Sequence, residues 1–89
     1  MNFNADDEHF RTEVRDFFAH QYPQDLITKA ASAFVLEKAD YQRSEQALAA
    51  KGWLCVNWPK EQGGTGWNAN QKYIFDQELE LAGAINPVP

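Results

Sequence analysis

The chain has 89 residues, 44% of them hydrophobic and 13% aromatic, with a formal net charge of −5 and an isoelectric point near 4.8. That length allows one domain and excludes an active site closed between two lobes, and the aromatic content excludes a disordered segment. The acidic balance excludes nucleic acid as a partner, because a protein that grips a phosphate backbone presents clustered Lys and Arg.

A domain this short buries only about 60 to 70% of the surface its unfolded chain exposes, so a thin core and a covering partner are expected. The single cysteine, Cys55, cannot form an intramolecular disulfide, which fits a reducing, cytoplasmic setting. Met1 to Glu8 is polar and acidic, and no run approaches the roughly 20 apolar residues of a membrane span, so neither a signal peptide nor a membrane span is expected.

From Asp7 to Tyr22, the apolar residues Phe10, Val14, Phe17 and Phe18 recur at helical spacing and predict a first helix. Asp6, Asp7 and Glu8 suit the positive end of its dipole, and Pro23 stops it near Tyr22. Asp25 to Phe34 carries a shorter, weaker helical pattern. Lys38 to Lys51 predicts a third helix, with Tyr41, Leu48 and several alanines on helix-favouring sequence. Gly52 closes it in a left-handed conformation.

The stretch Trp53 to Trp67 breaks the helical period with Pro59, Gly63, Gly64 and Gly66, and its three tryptophans, Trp53, Trp58 and Trp67, make it a packed loop. Asn68, with Gln71 three residues on, then caps a final helix over Ala69 to Ala82, whose apolar face is Ile74, Phe75, Leu79 and Ala82. Gly83 and Pro87 end it. The fold class expected is all-α, a small bundle of three long helices and one short one, and residues 86–89 read as a connection onward.

Within Asp40 to Gly83 the order of three features is distinctive. A helix ends in Lys51-Gly52-Trp53; the segment Trp58-Pro59-Lys60-Glu61-Gln62-Gly63-Gly64 leads to the turn Thr65-Gly66-Trp67; and a helix closes in Glu78-Leu79-Glu80-Leu81-Ala82-Gly83. This order resembles the N-terminal helical domain of the acyl-CoA dehydrogenases, and Phe10-Arg11, Val14-Arg15 and Phe17 resemble that family's first helix. Ser44, where relatives often carry tryptophan, and Cys55, where a small apolar residue is usual, depart from the pattern.

The resemblance implies that a middle β-domain and a C-terminal helical bundle join this domain, over residues 1–89, in the whole enzyme. FAD there removes hydrogens from the α and β carbons of an acyl-CoA, with a glutamate taking the α-proton. It also implies that this glutamate and nearly all flavin contacts lie in those later domains. No residue of this chain is therefore assigned a catalytic, cofactor-binding or metal role, and no FAD is expected on the chain alone. Its expected role is to cover one side of the acyl-binding cleft. The alternative is a free-standing helical interaction module.

The residues that invite other chemistry have plainer readings. Gly63 to Gly66 lacks the preceding strand and the following Lys and Ser or Thr of a phosphate loop, and reads as a tight turn. Trp53, Trp58 and Trp67 could stack on flavin but read as core or interdomain packing. His9 and His20 lack metal-ligand spacing and read as surface residues. Cys55 reads as a small buried hydrophobe, and Glu78 and Glu80 stand on opposite flanks of their helix, with Glu78 solvated or salt-bridged. Apolar surface facing outward is expected at the Trp53 to Trp67 loop and on the last helix, and with it self-association into a homo-oligomer.

Overall fold

A computed structural model describes residues 3–32 and 35–86. Helix α1 spans Ala5–His20, α2 Gln24–Ala31, α3 Lys38–Lys51 and α4 Ala69–Ala82, with a single 3-10 turn at Lys60–Gln62. The described residues are all-helical, three long helices and one short, as expected.

Local capping sets the boundaries. Helix α1 begins two residues before the predicted Asp7, because the Asn4 side chain accepts from the Asp7 amide at 2.8 Å while the Asn4 amide donates to the Asp7 carboxylate at 3.1 Å. It ends at His20, two residues short of Tyr22, because the Tyr22 ring turns into the core and both the Gln21 and Tyr22 amides reach back to the Phe17 carbonyl. The Gln24 side-chain Nε2 then donates to the carbonyls of Phe18 and Tyr22, satisfying acceptors left open by the end of α1.

Helix α2 stops at Ala31, short of the predicted Phe34, which lies outside the described residues. Helices α3 and α4 match their predicted spans. Gly52 has φ +83°, so the chain leaves α3 through the left-handed conformation expected of it. Asn68 and Gln71 bond reciprocally at the start of α4.

The core gathers Val14, Phe17 and Phe18 of α1, Leu26, Leu48, Trp53, and Phe75 and Leu79 of α4, with Tyr22 and Ile85 closing it. Its aromatic rings meet at steep angles: Trp53 lies 5.1 Å from Phe17, and Trp67 lies 5.0 Å from Phe10 and 5.1 Å from Phe75. Helices α1 and α4 are the principal packed pair.

The inward face of α3 corrects the sequence pattern. Tyr41 is 41% exposed, and the buried residues are Asp40, Ser44 and Leu48, at successive i, i+4 positions. Two of these are polar because partners on other elements meet them. Lys29 of α2 pairs with the Asp40 carboxylate at 2.7 Å, and the Ser44 hydroxyl shares a 2.6 Å hydrogen bond with the Tyr22 hydroxyl. The Tyr22 oxygen also accepts from the Ile85 amide at 3.2 Å, which fixes the backbone just past α4. Ser44 is thus a hydrogen-bonded anchor rather than a packing defect.

Candidate functional site

Two polar constellations flank α4, and their chemistry differs. On its inner flank, Glu78 is 3% exposed and accepts from Arg11 at 2.7 Å and from two nitrogens of Arg15 at 2.9 and 3.2 Å. Burial pushes its carboxyl upward, but the hydrogen bonds from Arg15 and Arg11 together outweigh that and hold it below the ordinary carboxylate value. Arg11 also donates to Gln77, and across the same helix pair Asn70 donates to Asp7. A carboxylate held ionised by two guanidiniums is a poor proton acceptor, so this cluster is a brace between α1 and α4 and not a general base.

On the other flank a groove of about 840 Å³ runs between the loop after α3 and the C-terminal half of α4. Leu54, Val56 and the half-exposed Trp58 form its loop wall, and Phe75 and Leu79 supply its apolar floor. Its charged rim is wholly acidic: Glu45 of α3, and Asp76 and Glu80, which stand at i, i+4 on α4. Among the described residues, no Lys, Arg or His lines it. The groove lies between the two segments expected to carry outward-facing apolar surface.

The glycine turn builds the far side of the loop wall and is closed to ligands. A Cβ on Gly64 would sit 1.8 Å from the Trp58 carbonyl oxygen, so only glycine lets these two stretches of loop pass each other. The amide of Gly64 donates to the Pro59 carbonyl, and the amide of Thr65 to the Cys55 carbonyl. Those amides are the donors a phosphate would need, and both are engaged within the turn.

The remaining candidates scatter. His9 and His20 are exposed on α1. Trp53 is buried and Trp67 half-buried in the aromatic core, whereas Trp58 is half-exposed at the groove. Cys55 is half-buried on the groove wall, not enclosed as a hydrophobe, because the turn that ties its carbonyl to the Trp58 and Thr65 amides sets it along the groove. Glu80 is exposed and Glu78 buried, so the two do face apart. Among the described residues, no three of His, Cys, Asp and Glu converge as a metal-binding group.

Sequence reasoning missed the groove's acidic rim and the double arginine brace. A signal for the brace was present: Arg11 and Arg15 stand one turn apart beside Val14 and Phe18, and Glu78 falls one turn after Ile74 inside an apolar face.

The sequence profile of the acyl-CoA dehydrogenase N-terminal domain matches residues 4–87. The chain belongs to the acyl-CoA dehydrogenase family. Acyl-CoA dehydrogenase FadE26 of Mycobacterium tuberculosis (strain ATCC 25618 / H37Rv) is 29% identical over 92 aligned residues, which cover 100% of this chain and 22% of that relative. The chain thus spans about a fifth of the length of the curated relative it matches. No solved structure matches it significantly.

Membership gives the local geometry a family meaning. The Lys51-Gly52-Trp53 step is the left-handed end of α3 that delivers Trp53 to the core, and the Trp58 to Gly64 segment is the turn that raises the groove wall. The acyl-CoA dehydrogenase family implies FAD in the full-length enzyme. The groove does not fit that group: a pyrophosphate would face three carboxylates and no cation.

Proposed function

We propose that this chain is the N-terminal helical wall of an FAD-dependent acyl-CoA dehydrogenase, covering one side of the acyl-binding cleft while other parts of the enzyme carry the chemistry. The observation that carries this reading is the contrast within one helix pair. The polar groups buried between α1 and α4 are engaged with each other, and the groove on the other flank of α4 pairs an apolar floor with carboxylates alone, with no acid and base partner set opposite one another. Family membership over residues 4–87 supports it.

In this reading the substrate is an acyl-CoA thioester and the reaction is α,β-dehydrogenation, with proton abstraction and flavin reduction assigned to residues outside this chain. The domain's own contribution is to hold shape and keep water from the acyl chain. No helix among the described residues is long and apolar enough to cross a membrane. Together with the single free thiol, this is consistent with a cytoplasmic setting for the proposed enzyme.

The test is direct. The purified chain is expected to be colourless and to leave a dye acceptor unreduced in the presence of acyl-CoA, and to restore dye reduction when added to an acyl-CoA dehydrogenase from which this domain has been deleted. Stoichiometric flavin absorbance on the chain alone, or turnover by it, overturns the division of labour.

A further inference from the structure

The groove's charge is unbalanced in a way that specifies what covers it. Helices α1, α2 and α3 each carry a basic residue in the last turn, His20, Lys29 and Lys51, opposite the negative end of the helix dipole. Helix α4 carries none. In its C-terminal half it places Asp76 and Glu80 one above the other, a like-charge pair that raises the energy of an isolated helix. Glu45 adds a third carboxylate across the groove. None of the ion pairs among the described residues involves these three. Beneath them lies an apolar floor with the half-exposed indole of Trp58 at one side.

We propose that the groove between Leu54–Trp58 and the C-terminal half of α4 binds an amphipathic helix of a partner polypeptide, apolar along one face and flanked by Lys or Arg. The cations settle against Asp76, Glu80 and Glu45, and the apolar face covers Leu54, Val56 and Trp58 above the buried Phe75 and Leu79. The C-terminal half of α4 is roughly 10 Å long, which accommodates about two turns of such a helix.

Other occupants fit poorly. A second copy is disfavoured because the chain carries −5 net charge, and five of its eight Lys and Arg residues are already paired with its own carboxylates. The others, Lys38, Lys60 and Lys72, stand on three separate elements and make no basic stripe. A phosphate-bearing ligand or an anionic membrane would meet the acidic rim. The inference does not depend on the enzymatic reading, since it rests on the groove's shape, its apolar lining and its acidic rim.

Two synthetic helical peptides of about four turns, sharing one leucine face and flanked by Lys in one and by Glu in the other, test it against the whole chain. Binding is followed by Trp fluorescence and by amide chemical shifts. The Lys peptide is expected to bind roughly tenfold or more tighter than the Glu peptide, to weaken with added salt, and to shift amides in residues 54–58 and 76–86. The double variant Asp76→Asn, Glu80→Gln should lose most of that preference, while the double variant Glu8→Gln, Asp16→Asn on α1 should keep it. Equal affinity for the two peptides, shifts centred elsewhere, or an equal loss in the α1 variant overturns the proposal. So does a chain dimer in analytical ultracentrifugation that Trp58→Ala abolishes, which assigns the groove to a second copy.

Discussion

Glu78 and Glu80 sit two residues apart on one helix and have opposite fates. Glu78 is buried and held by two arginines of α1, whereas Glu80 is exposed beside Asp76 at a groove that lacks any cation. A helix turns about 100° per residue, so a separation of two carries a side chain to the other flank, and the neighbour waiting there decides its role. The inner carboxylate is a structural brace. The outer pair is a local cost that no ion pair among the described residues offsets, which is why the two flanks should respond to mutation with opposite signs.

The largest effect is expected from breaking the brace. Glu78→Gln leaves Arg11 facing a neutral amide in a mostly buried site and should cost about 2 kcal/mol in urea unfolding at neutral pH. Its pH dependence follows from the sign of the shift. The folded-state carboxyl lies below its ordinary value of 4.5, so its stabilisation is complete above that value and is lost as pH falls through the lower folded one. The wild type should therefore lose stability on acidification below about pH 5, and the Gln variant should show a flatter acid limb. Asp25 and Asp40 are shifted the same way by Arg43 and Lys29; the exposed Asp25 pair is solvent-screened and adds little, whereas the buried Asp40 leaves the Gln variant a residual acid slope.

A smaller loss should follow from disturbing the point where the groove wall springs from α3. Gly52 has φ +83°, and no neighbouring atom lies within 4 Å of the place a Cβ would occupy, so a side chain there meets no clash and suffers only conformational strain. Gly52→Val should lower stability by about 1 to 2 kcal/mol, and Gly52→Asn by less. Identical melting curves for wild type and the Val variant would contradict the left-handed exit.

The smallest effect should carry the reverse sign. Glu80→Lys replaces the repulsion with Asp76 by attraction and supplies α4 with the terminal cation it lacks, so a gain of about 0.5 kcal/mol is expected in the same denaturation assay. A loss of stability in this variant would mean that Glu80 has a partner within the fold, and the contrast with Glu78 would disappear.

What could be read from the residues was whatever the chain decides within a turn or two of itself. Asn68 with Gln71 located the start of α4, Gly52 its predecessor's end, and the Pro59 to Gly66 cluster the loop, because capping and turn chemistry act over three or four residues. The ordered steps from Lys51 to Gly83 carried the family likeness for the same reason. What tertiary structure alone decided was the burial of polar groups and the shape of the groove. Asp40 and Ser44 face inward, and Tyr41 outward, because Lys29 and Tyr22 arrive from other elements. Glu78 is braced by residues 63 and 67 positions away. The acidic rim exists because Glu45 of α3 is brought opposite α4. Local pattern encodes the free energy of a helix and its ends; the worth of a charge depends on which neighbour and how much water the folded chain puts beside it.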